Sequence, residues 1–329
     1  MTRHLVRTVA QYAAVLFSAI TLNFALPRLA PGDAIDYLLP PEQAGALTPA
    51  QRTAVLHRFG LDQPVMVQFW RYLKGLARGD LLVSVRFGRP VTALLFERIG
   101  WTLLLAGGAL VLSTLLGAAL GFRSAWRRGT SADTGALTGV MFLDALPPFF
   151  VGTLLLLVFS VHLGWFPSYG ALSGQAASGL ALVGQVLRRA VLPIATLTIA
   201  GLGPMYLVAR SALVSELQED YVLMAEAKGL TDREVRRHAA RNALLPVSTV
   251  ALVGLGSLVG GAVVVETVFS YPGLGRLVYE SVLARDYPVL QGAFLLLIIT
   301  VVLANLINDL VYPLLDPRVR RPRTGGARR

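Results

Sequence analysis

Residues 102–122 read TLLLAGGALVLSTLLGAALGF, a run of 21 residues without a charged side chain. A helix needs roughly 20 apolar residues to cross the hydrocarbon core of a bilayer, so this stretch is long enough to span a membrane. The core helix of a large soluble protein can be equally apolar, and one such run does not separate the two alternatives. Further windows of similar character argue against the soluble alternative: Val9–Leu26, Leu137–Val161, Ala190–Leu213, Ala243–Val265 and Leu290–Val311. The sequence therefore predicts an all-α integral membrane protein with six transmembrane helices.

Charge is unevenly distributed along the chain, which has a formal net charge of +11. Clustered basic residues are typical of nucleic-acid-binding proteins, but here they lie mainly on one side of the predicted membrane. An N-terminus inside the cell places Arg3, Arg7, the segment from Arg210 to Arg241 and the tail from Arg318 to Arg329 in the cytoplasm. This is the distribution that the positive-inside rule describes. We therefore predict an N-in, C-in orientation and a lipid bilayer, not a nucleic acid, as the binding environment.

The order of polar and apolar stretches divides the chain into segments. We predict an uncleaved N-terminal transmembrane helix over residues 1–26, because no small-residue cleavage site follows it. Residues 27–100 form an extracytoplasmic segment, in which Thr48 and Gln51 predict a capped helix and Val65 begins a second, amphipathic one. A core of five transmembrane helices is expected over residues 101–313. A basic cytoplasmic tail follows over residues 314–329.

The sequence contains no recognisable catalytic or cofactor-binding motif. Neither of its two lysines, Lys74 and Lys228, follows a glycine, so the phosphate-binding GxxxxGK[ST] motif is absent. There is no cysteine, and the four histidines have no partners at metal-ligand spacing. We therefore predict that the chain is not an enzyme and binds no cofactor or metal itself.

A few polar or helix-breaking residues fall inside the predicted spans. Asp144 lies three residues before Pro147, and a carboxylate at membrane depth indicates a functional site that faces a cavity or a partner. The alternative is local hydrogen bonding near the cytoplasmic end of the span. Prolines inside spans predict kinked helices, which suit a pathway that opens and closes. The candidate substrate-pathway residues are Asp144, Pro147, Pro204 and Asn305.

A polar stretch, EDYVLMAEAKGLTDREVRRHAARNALLP at residues 219–246, separates the fourth and fifth windows. Its first part, Glu219–Lys228, predicts a helix, and Gly229 fits the left-handed residue that ends it. Thr231 and Glu234 then predict a capping box that opens a second helix. A DNA-binding helix-turn-helix is disfavoured by the tether to two spans and by the net charge of −1 from Glu216 to Arg241, where six side chains are acidic and five are basic. A solvated connector is the other alternative, but a capped helix with small residues favours docking against another protein.

Short motifs connect this stretch to the rest of the chain. They are RLAPGD at 28–33, GLDQP at 60–64, GDL at 79–81, AEAKGL at 225–230, RHAARNALLP at 237–246, VVETVF at 264–269, PGLG at 272–275, RDYP at 285–288 and LDPR at 315–318. In this order and spacing they resemble the permeases of binding-protein-dependent ABC importers. The specific resemblance is to the first (B-type) subunit of the dipeptide/oligopeptide/nickel family, and it implies the type I ABC importer permease fold.

The resemblance implies that residues 215–242 form a coupling loop that docks into a groove of a separate ATPase subunit. The implied docking residues are Ala225, Ala227, Lys228, Gly229, Leu230, Thr231, Asp232, Arg233, Glu234, Val235, Arg237 and His238. The general permease pattern begins with Glu-Ala-Ala, whereas this chain has Leu223-Met224-Ala225 at that position. The glutamate of the family pattern is therefore missing here.

The same resemblance implies the partners. They are a second permease subunit of the C-type in a heterodimer, two ATPase subunits that bind ATP and Mg²⁺, and an extracytoplasmic solute-binding protein, in a bacterial or archaeal cytoplasmic membrane. The solute would cross by alternating access, with di- and oligopeptides expected first and nickel chelates, glutathione and oligosaccharides left open. A secondary transporter is the first alternative, disfavoured by the few intramembrane charges and the lack of an inverted repeat. A membrane-embedded receptor without an ATPase partner is the second, disfavoured by the lack of a signalling domain.

Overall fold

The computed structural model describes residues 2–29, 45–172 and 178–315. We number the α-helices bounded within these residues in chain order. They are α1 Thr2–Leu29, α2 Pro49–Phe59, α3 Val65–Ala77, α4 Val91–Trp126, α5 Ser131–Asp144, α6 Pro148–Leu155, α7 Gly179–Glu216, α8 Asp220–Ala227, α9 Asp232–Val268, α10 Leu274–Leu283 and α11 Tyr287–Leu315. A π-helical segment, Leu156–His162, continues α6. The predicted tail over residues 314–329 lies almost wholly outside the described residues, as does the motif at 28–33 beyond its first two positions.

Helices long and apolar enough to cross a membrane account for much of the described chain. Four such helices are α1, α4, α7 and α11, and α5 with α6 makes a fifth if the bent pair is one span. The predicted all-helical membrane fold is confirmed, and the predicted count of six spans is confirmed only in part. The window Ala243–Val265 lies inside α9, but its side chains at 252 and 255–261 are outside the description. That sixth span stays a prediction, as does the N-in, C-in orientation.

The third predicted window is broken at its proline pair. α5 ends at Asp144, α6 begins at Pro148, and the two helices are bent by 95°. Pro147 has the extended ψ of 137° because a residue that precedes a proline is disfavoured in the helical region. By contrast, α7 continues through Pro193 and Pro204, and α9 continues through Pro246. Prolines were predicted to kink several spans; at Pro147 the structure has a complete break of the helix, whereas at the other prolines the helix continues.

The chain divides into two compact units, residues 1–102 with 272–302, and residues 103–271 with 303–329. The first unit joins α1, the two helices of the outer segment, α10 and the beginning of α11. Asn23 donates hydrogen bonds to the Tyr72 hydroxyl at 3.1 Å and the Gln291 carbonyl at 2.9 Å, and the Phe24 and Phe69 rings meet edge to face. The apolar core of the first unit comprises Val91, Leu94, Leu95, Leu274, Leu277, Val278, Val289 and Ala293. The outer segment is therefore anchored to helices distant in sequence.

Asp286 positions the start of α11 within the first unit. Its side chain is fully buried and accepts hydrogen bonds from the Ser84 hydroxyl, from the Arg86 amide at 3.0 Å and from the Val289 amide at 3.4 Å. Asp286 therefore caps the helix N-terminus and holds the turn around Ser84 at the same time. The aspartate of the RDYP motif therefore has a structural role.

Within the second unit, the backbones of α4 and α7 approach each other closely. A Cβ atom added to Gly121 would lie 2.6 Å from the Tyr206 carbonyl oxygen, and one added to Gly117 would lie 2.6 Å from the Met205 Cβ. This is the helix contact that a GxxxG spacing permits in lipid. The core beside it comprises Ala118, Phe122, Ala125, Ala209, Leu213, Ala239, Ala243 and Val247, so α9 packs on the same two helices. Half of the apolar window of α7 is buried, which makes α7 the central helix of this unit.

Candidate functional site

The turn between α8 and α9 has the conformation that its glycine requires. Gly229 has φ of +80°, its amide donates to the Glu226 carbonyl at 2.9 Å, and the Leu230 amide donates to the Ala225 carbonyl at 3.2 Å. These two bonds form a Schellman motif, which satisfies carbonyls that the end of a helix would leave unpaired. The helix boundary predicted at Lys228 and Gly229 is confirmed.

The capping box that opens α9 is also present. The Glu234 carboxylate accepts hydrogen bonds from the Thr231 amide at 2.9 Å and from the Thr231 hydroxyl at 2.8 Å. These bonds, from the backbone first and the hydroxyl second, lower the pKa of Glu234 below its ordinary value. The carboxylate therefore stays ionised next to the positive end of the α9 dipole, which favours the first turn of the helix.

Glu216 connects the end of α7 to both helices of the pair through hydrogen bonds. This last residue of α7 accepts hydrogen bonds from the Tyr221 hydroxyl in α8 at 2.6 Å and from the Asn242 amide in α9 at 3.2 Å. Burial, together with the bond to Glu216, raises the pKa of Tyr221 to about 12. One carboxylate thus joins three helices, and the turn around Gly229 is presented on a fixed base.

The two faces of the helix pair differ in exposure. Val235, Ala239 and Ala243 form a buried stripe of α9, and Ala239 and Ala243 belong to the apolar core of the second unit. Of the predicted docking residues, nine are exposed: Ala227, Lys228, Gly229, Thr231, Asp232, Arg233, Glu234, Arg237 and His238. Ala225 and Leu230 are half-buried. Val235 is buried against other residues of this chain, so it packs beneath the exposed surface and is not accessible to a partner. Two apolar side chains, Leu223 and Met224, are 70% and 59% exposed on α8.

A second polar cluster lies where α4, α5 and α7 meet. Asp133 is 4% exposed and accepts two hydrogen bonds from Arg210, Nε to Oδ1 at 2.9 Å and Nη2 to Oδ2 at 2.7 Å. The Ser124 hydroxyl donates to the same carboxylate and lies 2.6 Å from the Tyr206 hydroxyl, while the Gly129 amide donates at 3.1 Å. Sequence reasoning missed this cluster, because its members are up to 86 positions apart, from Ser124 to Arg210, and share no spacing signal.

The predicted pathway residues are partly brought together. The Asp144 side chain packs directly against Gly203, so it lies beside Pro204 of α7, and Pro147 begins the turn into α6. Asn305 lies on α11, and none of the hydrogen bonds between described residues joins it to the other three. Asp144, Pro147 and Pro204 are exposed in the single chain. In the described residues no group of three or more histidine, aspartate or glutamate side chains could hold a metal ion.

Two family sequence patterns together match residues 1–321 of the 329-residue chain. Residues 92–321 match "Binding-protein-dependent transport system inner membrane component", and residues 1–94 match its N-terminal part. The oligopeptide transport system permease protein AppB of Bacillus subtilis is 33% identical over 322 residues, which cover 97% of this chain and 99% of that protein. The di/tripeptide transport system permease protein DppB of Pseudomonas aeruginosa is 35% identical over 323 residues, covering 93% and 95%. The glutathione transport system permease protein GsiC of Salmonella typhi is 37% identical, covering 93% and 94%.

A solved structure has the same fold over part of the chain. A chain from the inward-facing MetNI methionine ABC transporter aligns with a TM-score of 0.55 and 19% sequence identity. The alignment covers 68% of this chain and 96% of that chain. At this identity the likeness concerns the fold alone.

Proposed function

The chain belongs to the family of binding-protein-dependent transport system inner membrane components, and we propose that it imports di- or oligopeptides. It is a multi-pass permease of the bacterial inner membrane, and nucleotide is bound by the ATPase partners of such permeases. Three relatives matched over at least 93% of this chain have names that specify oligopeptides, di/tripeptides and glutathione. A peptidic solute is common to all three. The solute-binding protein and a second permease subunit of the C-type would complete the complex.

The exposed turn between α8 and α9 supports the coupling part of this proposal. Within the second unit it combines a fixed base at Glu216 with an outward surface of charged and apolar side chains. Exposed Leu223 and Met224 occupy the position where the family pattern has Glu-Ala-Ala, so an apolar contact would take the place of that glutamate. The coupling loop over residues 215–242 would then dock on an ATPase subunit through Lys228–Glu234 and the neighbouring Arg237 and His238.

α9 offers a direct route from this surface into the membrane. It runs without interruption from Asp232 to Val268, and 37 residues of helix measure about 55 Å. Because Ala239, Ala243 and Val247 pack on α4 and α7, a displacement of the first turn would reach both helices. We propose that closure of the ATPase dimer moves α9 in this way and alternates access to the pathway. Asp144 beside Gly203, with Pro147, Pro204 and Asn305, would line that pathway.

Co-purification tests the coupling proposal. We expect the double substitution Leu223→Glu and Met224→Glu to abolish recovery of the ATPase subunits with the full-length chain, while the chain still inserts and remains monodisperse. The matched control is Leu283→Glu on α10, which is 68% exposed and lies outside the helix pair. If the double variant recovers the ATPase as well as the control does, the coupling surface is wrongly placed.

Uptake measurements test the solute. In proteoliposomes with the purified partners and binding protein, we expect ATP-dependent accumulation of a labelled dipeptide and a labelled oligopeptide. Accumulation of a nickel chelate with no peptide uptake would overturn the peptide assignment and leave the permease assignment intact.

A further inference from the structure

A groove of about 500 Å³ lies at the junction of α4 and the first turns of α9. Trp126, Asp232, Arg233, Arg236, Arg237 and Ala240 line it, all within the second unit. Trp126 is the last residue of α4, and Ala240 lies three residues before the predicted span Ala243–Val265. The groove is therefore at the level where two predicted spans leave the bilayer.

The groove carries unpaired positive charge. Its three arginines are exposed, and the ion pairs among the described residues include none of them. Asp232 is the one carboxylate among the lining side chains, so these side chains sum to +2, three arginines less one aspartate. An anion with several acceptor oxygens matches three guanidinium groups, which donate in a fork geometry.

Trp126 contributes an aromatic ring to the lining of the groove and an indole N–H as a further hydrogen-bond donor. The Arg236 guanidinium carbon lies 5.8 Å from the centre of its ring, in cation–π range. Its indole nitrogen is buried and finds no acceptor among the residues that the structure describes. An unpaired buried donor is unfavourable, and because Trp126 lines the groove, an oxygen atom of a bound ligand is the acceptor that we assign to this N–H.

We infer that this groove binds the phosphate of an anionic phospholipid headgroup from the cytoplasmic leaflet. Tryptophan and arginine are typical of the membrane interface, and basic pockets between transmembrane helices on the cytoplasmic side bind anionic headgroups. The inference rests on the proposed N-in orientation, because that orientation puts the groove at the inner surface. Free inorganic phosphate has the same acceptor oxygens, so a test of this inference must distinguish phosphate binding from lipid binding.

The groove lies on a different side of α9 from the base of the coupling loop. Arg236 faces Trp126, whereas Asn242, six residues further on, faces Glu216 and α8. Six residues correspond to a rotation of about 240° around the helix axis. The groove shares Asp232, Arg233 and Arg237 with the proposed docking surface, so a bound headgroup would lie directly beside the ATPase contact and would steady the first turns of α9.

Native mass spectrometry of the full-length chain in detergent tests this inference. The probes are phosphatidylglycerol, phosphatidylcholine and inorganic phosphate, each titrated against wild-type protein. We expect retained phosphatidylglycerol adducts and none with phosphatidylcholine. Arg236→Gln should weaken phosphatidylglycerol binding about fivefold, and Trp126→Phe should do so by a similar factor of about five through loss of the indole donor. The matched control is Arg241→Gln, which removes the same charge from α9 outside the groove.

Each other result overturns the inference. Equal weakening by Arg236→Gln and Arg241→Gln would mean that net charge alone attracts the lipid. Displacement of the lipid by inorganic phosphate would indicate that the groove binds a free anion and not a lipid headgroup. If Arg236→Gln leaves lipid adducts unchanged but prevents co-purification of the ATPase, the groove is a protein docking site. Lipid binding is measured without transport, so a failed uptake experiment does not affect this test.

Discussion

The Arg210 guanidinium binds the Asp133 carboxylate through two hydrogen bonds, Nε to Oδ1 at 2.9 Å and Nη2 to Oδ2 at 2.7 Å. Asp133 lies near the start of α5 and Arg210 near the end of α7, so this pair of residues, 77 positions apart in sequence, joins the two helices. Asp133 is 4% exposed, and Ser124 of α4 donates to the same carboxylate. The pair therefore fixes the ends of α4, α5 and α7 within the second unit.

Arg210→Gln leaves the Asp133 carboxylate buried without its cation. Removal of one partner from a buried pair is strongly unfavourable, and because Arg210 itself is partly exposed we expect a loss of about 2–3 kcal/mol in the free energy of unfolding. Thermal unfolding in detergent measures this loss. The double variant Asp133→Asn with Arg210→Gln should recover part of it, because no unpaired charge remains. A double variant as unstable as the sum of the two single variants would argue against a direct pair.

Gly121→Ala should destabilise the contact between α4 and α7. The new Cβ atom would lie 2.6 Å from the Tyr206 carbonyl oxygen, and backbone at that distance must move. Overpacking of this kind costs about 1–3 kcal/mol, which a lowered unfolding temperature in detergent would report. The control is Gly107→Ala on the same helix, where a Cβ atom meets nothing within 4 Å. Equal stability of the two variants would contradict the close approach.

Local features of the fold were predictable because a few adjacent residues determine them. The helix start at Thr48 and the turn at Gly229 were both predicted from capping and glycine patterns, and the structure has each of them. The proline pair at Pro147 likewise marked a break, since a proline restricts the residue before it. The size of the bend, 95°, was not predictable, because packing against α7 and α9 decides it.

Long-range polar contacts were not predictable from one sequence. Glu216 and Asn242 are 26 residues apart, and neither belongs to a pattern that specifies a partner. Asp133 lies between two predicted spans and no sequence pattern singles it out, although it has one of the most buried carboxylates of the second unit. Such pairs depend on how helices pack, and single-chain periodicity indicates which face of a helix is apolar but not which helix that face meets.

Tyr221 should titrate at unusually high pH. Burial first, and then its bond to Glu216, raise its pKa to about 12, so the neutral phenol is favoured in the folded state. The stability it contributes is complete below its unfolded pKa of about 10 and is lost as the pH rises through about 12. We expect the difference between the tyrosinate absorbance titrations of wild type and Tyr221→Phe to have its midpoint near pH 12. Glu216→Gln should lower that midpoint, because the neighbouring negative charge is removed, and an unchanged midpoint would exclude the contact.

Asp286→Ala should loosen the outer segment. The substitution removes the cap of α11 and leaves the Ser84 hydroxyl and the Arg86 amide without their acceptor. Loss of a helix cap alone costs about 1 kcal/mol, and the buried donors add to that cost. Limited proteolysis should then cleave near residues 84–86 faster than in wild type. Asp80→Ala is the control, since Asp80 is exposed and accepts a hydrogen bond from the Leu82 amide at 2.9 Å. Equal cleavage rates in the two variants would argue against this role of Asp286.

Gly229→Ala should impair coupling more than it impairs folding. Gly229 has φ of +80° and Gly129 has φ of +81°, and a Cβ atom at either position meets nothing within 4 Å, so alanine has the same backbone strain at both. That strain is about 1–2 kcal/mol. Gly129 lies in the turn between α4 and α5, outside the helix pair, and Gly129→Ala is therefore the matched control. We expect both variants to lose similar thermal stability, but only Gly229→Ala to reduce solute-stimulated ATP hydrolysis by the assembled transporter. If the two variants hydrolyse ATP alike, the turn at Gly229 does not position the ATPase contact.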